Sequence, residues 1–255
     1  MKLALYQGPP IAGDIDAGFA RIERQLTAAA MAGARMIVFP ELFLPGYNRP
    51  DLHDSLSQPL GGDWCTRLAA LASAAGCGLC IGWSERDGDT VYNAATAFGP
   101  DGETLGHYRK IQLYGPMEQA SFAFGDAYTT FDFAGHRIAL MVCYDVEFAH
   151  HVKALADRGV TLVLVPTANP AGFEHVSTAI IPGHASSYAL TIAYANFCGT
   201  EGGLAFGGHS VIVGPDATAL ATANTTETLM ITDIAKPYDP ALLSTQSADH
   251  REVSR

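Results

Sequence analysis

The sequence predicts one α/β domain built on mixed sheets. Short apolar runs alternate with segments of helical periodicity, the pattern of strand–helix–strand units. Two hairpins, marked by Gly-Pro-Asp at 99–101 and 214–216, interrupt the alternation, so the sheets are not all parallel. No linker, internal repeat or low-complexity tract divides the 255 residues. With 48% apolar and 16% charged residues, the chain can bury a sizeable core.

The elements follow in order. Residues 2–7 (KLALYQ) read as a strand, and 16–33 as a helix, because Phe19, Ile22, Leu26, Ala29 and Ala30 fall on one face and Gly33 supplies a stop. Residues 35–40 (RMIVFP) form a near-continuous apolar run, as in a strand covered on both sides. A helix over 64–75 and a strand over 78–84 come next, then a hairpin of 91–98 and 103–110. Strands are predicted at 137–142 and 161–166 around a helix at 146–158. A helix ending at 186–190 precedes a strand at 192–197. A second hairpin joins 210–213 to 218–222, and 228–234 closes the sheets. Residues 235–255 are polar and contain Pro237 and Pro240, which reads as a C-terminal tail or subunit-contact arm.

The bulk numbers exclude several classes. A formal charge of −11 argues against binding nucleic acid or an anionic membrane surface. No apolar run approaches the roughly 18–20 residues of a membrane span. The start reads LALYQGPP rather than as a leader, and five cysteines do not suit a disulfide framework. The expected setting is the cytoplasm.

Among the reactive residues, Cys143 closes the apolar run IALMVC and stands before a predicted helix. Backbone N–H groups and the helix dipole there would favour a thiolate. The same place would also suit a buried structural cysteine. His150 and His151 lie roughly 10–12 Å along that helix, too far to take the thiol proton, and read as a solvated helix face. Cys77 and Cys80 have the C-x-x-C spacing of a redox or half-zinc motif, but within a strand they face opposite ways and no second half completes a metal site. The remaining histidines lack ligand spacing, so neither metal nor cofactor is expected. Glu41 follows a buried strand directly, where burial would raise its pKa and suit it to act as a base. Lys110 likewise ends a strand. All three groups therefore stand at strand termini, where open α/β folds place ligands.

Taken together and in order, these segments resemble the nitrilase (carbon–nitrogen hydrolase) superfamily. FPELFLPGYN looks like its glutamate motif, YNAATAFGPDGETLGHYRKIQLYG like its lysine motif with the preceding hairpin, and MVCYDVEF like its cysteine motif. LVLVPTAN and GHSVIVGPDA are similar to its later strands, and the likeness runs from Met1 to about Ile234. The resemblance implies a nitrilase-like α-β-β-α four-layer sandwich, commonly paired into a homodimer or higher oligomer. It implies Glu41 as general base, Cys143 as nucleophile, and Lys110 with the Tyr144 N–H as oxyanion donors. YQG, PGYN, VPTAN and YANFCG bring it nearest to amidases of the 5-aminopentanamide and stereoselective type. The implied reaction is hydrolysis of a small aliphatic primary amide by water. An N-carbamoyl amine or nitrile substrate, or a non-catalytic binding role, are the alternatives. Two departures stand out. Pro116 and Met117 occupy the place of the family's second glutamate, leaving Glu118 as a shifted candidate. Phe148-Ala149-His150 replaces the usual Phe-Pro-Glu. Tyr47, Tyr114, Ala168, Asn169 and Pro170 are expected around the substrate, with Glu174 a candidate for a cationic group.

Overall fold

The computed structural model describes residues 1–234 and 238–251. Its strands are β1 (Lys2–Gln7), β2 (Met36–Val38), β3 (Gln58–Pro59), β4 (Gly78–Asp87), β5 (Thr90–Phe98), β6 (Thr104–Arg109), β7 (Thr129–Phe133), β8 (His136–Leu140), β9 (Leu162–Pro166), β10 (Thr191–Ala195), β11 (Thr200–Glu201), β12 (Leu204–Ala205), β13 (Val211–Val213), β14 (Ala219–Thr222) and β15 (Thr228–Asp233). The helices are α1 (Ile15–Met31), α2 (Pro50–His53), α3 (Asp63–Ala75), α4 (Gly115–Ser121), α5 (Ala149–Ala156), α6 (Ile181–Ser187) and α7 (Gln246–Asp249).

Two sheets form. The first has the order β15-β1-β2-β4-β5-β6 with β3 beside β4, and the second the order β14-β13-β10-β9-β8-β7. Both mix parallel pairs, such as β1 with β2 and β9 with β10, with antiparallel hairpins. Side chains alternate along each strand, and the sheets use that alternation to serve two cores at once. On β1, Leu3 and Leu5 enter the core between the sheets, together with Ile138, Leu140, Leu162 and Leu164 from the second sheet. Ala4 and Tyr6 point the other way, to Phe19, Ile22 and Leu26 of α1 and Leu68 and Ala72 of α3. On the far side, Val163, Val165, Ile192 and Tyr194 meet Val152 and Leu155 of α5 and Ile181 and Ala185 of α6. Three cores separate four layers, which is the predicted α-β-β-α sandwich.

Local chemistry explains the boundaries. Asp14 caps α1 by accepting from the Ala17 N–H at 3.0 Å, and Gly33, in the left-handed region at φ 81°, follows its end. Cys77 packs with the outer helices and Cys80 between the sheets, on opposite faces as expected of a strand, and both thiols are free.

Three expectations are corrected. The strand β7, the short helix α4 and the segment Val176–Ile180 were not read as such, because brief amphipathic runs flanked by Gly and Pro carry little periodicity, whereas α6 is the helix expected to end at 186–190. The single helix predicted over 146–158 is a five-residue 3₁₀ turn, Cys143–Glu147, followed by α5. His151 is buried rather than solvated: the Gln112 side-chain amide lies 3.0 Å from its Nε2 and the Tyr128 hydroxyl 2.6 Å from its Nδ1. His150 is exposed, as expected. Of the expected tail, 235–237 and 252–255 lie outside the described residues. The described part contains a 3₁₀ turn, Pro240–Leu242, and α7.

Candidate active site

Three loops and the short helix α4 deliver the reactive groups to one end of the sandwich. Glu41 stands three residues beyond β2, and its backbone N–H donates to the Thr167 carbonyl just past β9 (3.3 Å), which joins the first sheet to the second. Lys110 follows β6, its N–H donating to the Asn93 carbonyl of β5 (2.8 Å). Glu118 rides on α4. Cys143 stands three residues past β8 at φ 46°, a left-handed conformation uncommon outside glycine, which makes the chain turn sharply there.

Glu41, Lys110 and Glu118 are all fully buried. Lys110 Nζ lies 2.6 Å from Glu41 Oε1 and 2.8 Å from Glu118. The Asn93 side-chain amide also donates to Glu41 Oε1 (2.7 Å), whereas Oε2 has no hydrogen-bond partner. Both donors thus hold one carboxylate oxygen and leave the other available. The Tyr47 hydroxyl donates to Glu118 Oε1 (2.7 Å) and the Tyr114 N–H to its Oε2 (2.9 Å), so α4 is locked against the lysine.

The electrostatics follow from burial. Removal from water pushes the Glu41 carboxyl up to about 7, against the pull of the adjacent ammonium. Burial alone would lower Lys110, but Glu118 and Glu41 outweigh it and keep the ammonium well above the usual lysine value. For Cys143, burial first and the Glu41 charge second push the thiol well above its usual range, against Lys110, the Thr167 hydroxyl and the Ala168 N–H. This overturns the expectation of a thiolate favoured by a helix dipole. The segment after Cys143 is only a 3₁₀ turn, and its weak dipole does not offset desolvation. A thiol so placed needs a base.

Asp145, two residues past Cys143, is also fully buried. It accepts from the Tyr108 hydroxyl (2.8 Å), the Gln112 N–H (2.7 Å) and the Val142 N–H (3.0 Å). The first two flank Lys110 in sequence and the third precedes Cys143, so one carboxylate ties the lysine loop to the cysteine turn. Burial raises its pKa to about 6.

Cys143 opens into a cleft of about 240 Å³ lined by Tyr47, Tyr114, Tyr144, Ala168, Asn169 and Pro170. Tyr47, Tyr114, Ala168, Asn169 and Pro170 were expected around the substrate, and Tyr144 only for its backbone N–H. Glu147, Phe173 and His175 line it as well and were not anticipated. Glu174 is not among the residues that line the cleft, and its carboxylate accepts from the Gly172 N–H (2.8 Å). Asn93 was also missed. It sits in an alanine-rich strand where nothing in the local pattern marks it, and only the β5–β6 pairing reveals it. Among the described residues, no group of three or more His, Cys, Asp or Glu could hold a metal ion, and no helix is long and apolar enough to cross a membrane.

Comparison with known proteins gives a consistent picture. The family model described as carbon-nitrogen hydrolase matches residues 2–238. A hydrolase from the pqqF 5′ region of Pseudomonas protegens is 35% identical over 91% of this chain and 81% of its own length. An (R)-stereoselective amidase from Pseudomonas sp. is 29% identical over 92% of this chain and 85% of its own. The amidase from Nesterenkonia sp. AN1, in a mutant structure showing Michael addition of acrylamide at its active-site cysteine, superposes with a TM-score of 0.87 at 35% identity. That match covers 91% of this chain and 92% of the other.

Proposed function

We propose that this chain, which belongs to the carbon–nitrogen hydrolase family and is a hydrolase acting on carbon–nitrogen bonds, cleaves small aliphatic primary amides to the carboxylic acid and ammonia. The observation that carries the reading is Lys110 clamped between Glu41 and Glu118 beside Cys143, with the cleft open above the thiol. The Nesterenkonia amidase, whose cysteine-to-alanine variant was solved with butyramide, supports the substrate class.

In this mechanism Glu41 Oε2, the oxygen without a partner, takes the Cys143 proton as Sγ attacks the amide carbon. An ammonium has three N–H donors; Glu41 and Glu118 use two of those on Lys110. The third meets the oxyanion together with the Tyr144 N–H, each donor contributing a few kcal/mol. The C–N bond then breaks, and Glu41 passes its proton to the leaving nitrogen, which departs as ammonia. A thioester remains on Sγ. Glu41 next takes a proton from water, the hydroxide adds to the thioester carbon, and the acid leaves as the thiol is restored. Glu118 holds the lysine, and Tyr47, Tyr114, Ala168, Asn169 and Pro170 surround the substrate chain.

The test is product analysis on a panel of aliphatic amides, N-carbamoyl amines and nitriles. Ammonia and acid in equal amounts from the amides, as the best substrates, is the expected result. Carbon dioxide together with ammonia from carbamoyl compounds, or acid from nitriles at higher kcat/KM, would replace the amide reading.

A further inference from the structure

Two buried hydroxyls behind the nucleophile have no task in the chemistry of Glu41, Lys110 and Cys143. Thr167 is fully buried just past β9, and Tyr194 on β10 is only 1% exposed. Among the described residues, neither hydroxyl oxygen has a hydrogen-bond partner of good geometry. A buried hydroxyl without a partner is costly, and each one left in a native fold calls for a cause.

The second sheet brings the two together at the sulfur. β8 pairs with β9 in parallel, Leu140 opposite Leu164, and the Met141 N–H donates to the Leu164 carbonyl at 3.1 Å. Three residues further along both segments, the same register sets Cys143 beside Thr167. β10 lies on the other side of β9, with Tyr194 opposite Val165. Met141, Val165 and Tyr194 share the core beneath α5 and α6, and strand alternation puts Thr167 on the same side as Val165. The Thr167 backbone is held from two directions. Its N–H donates to the Ala195 carbonyl at 2.9 Å, and its carbonyl accepts from the Glu41 N–H at 3.3 Å. One contact therefore places both this side chain and the base. The electrostatics agree: the Thr167 hydroxyl opposes the burial that disfavours a thiolate at Cys143. Burial, then the Cys143 charge, keep the Tyr194 phenol well above its usual range, so it remains a donor.

We propose that the Thr167 hydroxyl donates a hydrogen bond to Cys143 Sγ as the thiolate forms, and that Tyr194, donating to Thr167 Oγ1, orients it. The proposal rests on Cys143 as the nucleophile of the amidase reading. A thiol sulfur is a weak acceptor and a thiolate a charged one, so this bond strengthens once the proton has moved to Glu41. Stabilisation that grows toward the transition state raises kcat rather than tightening the binding of substrate. The hydroxyl protons turn but stay on their own oxygens, so Glu41 remains the base. The same donor assists when Sγ leaves the thioester carbon, because sulfur regains its charge there. Thr167 touches the reacting atom, whereas Tyr194 is a positioning residue that acts through it.

Thr167→Val removes the hydroxyl at similar volume, Thr167→Ser keeps it, and Tyr194→Phe removes the second donor. Each variant is read twice. Butyramide turnover gives kcat and KM, and mass spectrometry of the Cys143 peptide gives its rate of alkylation by iodoacetamide across pH. Thr167→Val should lower kcat by about tenfold or more with KM little changed, and slow alkylation by a similar factor. Thr167→Ser should stay close to wild type, and Tyr194→Phe should fall between the two. The double variant Thr167→Val/Tyr194→Phe should be no slower than Thr167→Val, because the phenol acts only through the threonine. Unchanged alkylation in Thr167→Val, a Thr167→Ser as impaired as Thr167→Val, or losses that multiply in the double variant would each overturn the proposal. If Thr167→Val does not fold, Tyr194→Phe decides: slowed alkylation supports the hydroxyl pair and wild-type alkylation contradicts it. If butyramide is not hydrolysed at all, the amidase reading fails, while the alkylation series still tests the two donors.

Discussion

In the proposed mechanism Glu41 is the residue on which the chemistry turns, because its carboxyl must be ionised to accept a proton from a thiol that burial keeps neutral. Its pKa of about 7 fixes the direction of the pH dependence. Below that value the carboxyl is protonated and cannot act as base; above it the carboxylate is ready. The kcat/KM for an aliphatic amide should therefore rise with pH through about 7 as a single ionisation. A profile already flat from pH 5 upward would contradict this assignment. Glu41→Gln keeps the shape and removes the base, so kcat should fall by about 10²–10⁴-fold. Alkylation of Cys143 should slow in the same variant, and an unchanged alkylation rate would mean that another group takes the proton.

Precision in this site comes from how the elements approach one another. At Gly82 of β4, a Cβ would sit 2.5 Å from Glu41 Cα and 2.6 Å from the Leu42 nitrogen, so the strand and the catalytic loop touch backbone to backbone. Gly82 also donates its N–H to the Pro40 carbonyl at 3.1 Å. Gly82→Ala should push the Glu41 loop away from Lys110 and cost about 1–3 kcal/mol of stability through overpacking. Because small misplacements of catalytic groups are expensive, activity should drop by about 10²-fold while the far-ultraviolet circular dichroism stays native. Full activity would show that the loop can yield without moving Glu41. The Asp145 carboxylate does the complementary task at the lysine and cysteine loops, with three donors from two segments. Neither feature could be read from the local sequence. Gly82 looks like any glycine in an apolar strand, and Asp145 looks like a helix-capping acid after Cys143. Their roles depend on what the partner segment brings, not on periodicity. The same cause explains the misread helix after Cys143: the apolar spacing was there, but the buried Asp145 contacts hold the segment as a tight turn until Ala149.

Seen whole, the molecule shows which kinds of information a sequence carries openly. Mixed sheets with covering helices were legible because strands and outer helices leave periodic marks, whereas the stacking into four layers was implied only by the family resemblance. Glu41, Lys110 and Cys143 each stand at a strand end, but only the ordered resemblance to the three family motifs marked them as a set, and the cleft residues Tyr47, Tyr114, Ala168, Asn169 and Pro170 were expected because they follow strand ends beside them. Glu118 was only a shifted candidate, since its place opposite Lys110 depends on α4 starting at Gly115, which Pro116 helps to set. Glu147, Phe173, His175 and Asn93 escaped notice because the folding of separate segments, rather than any spacing, brings them to the site.

The most telling measurement is ammonia release from butyramide by the wild-type protein and by Cys143→Ala, with rapidly quenched wild type analysed by mass spectrometry. Turnover that disappears in the variant, together with a butyryl group on Cys143 of the quenched enzyme, is the expected result. Ammonia release that survives Cys143→Ala, or turnover with the acyl group on a different residue, would contradict the mechanism proposed for this site.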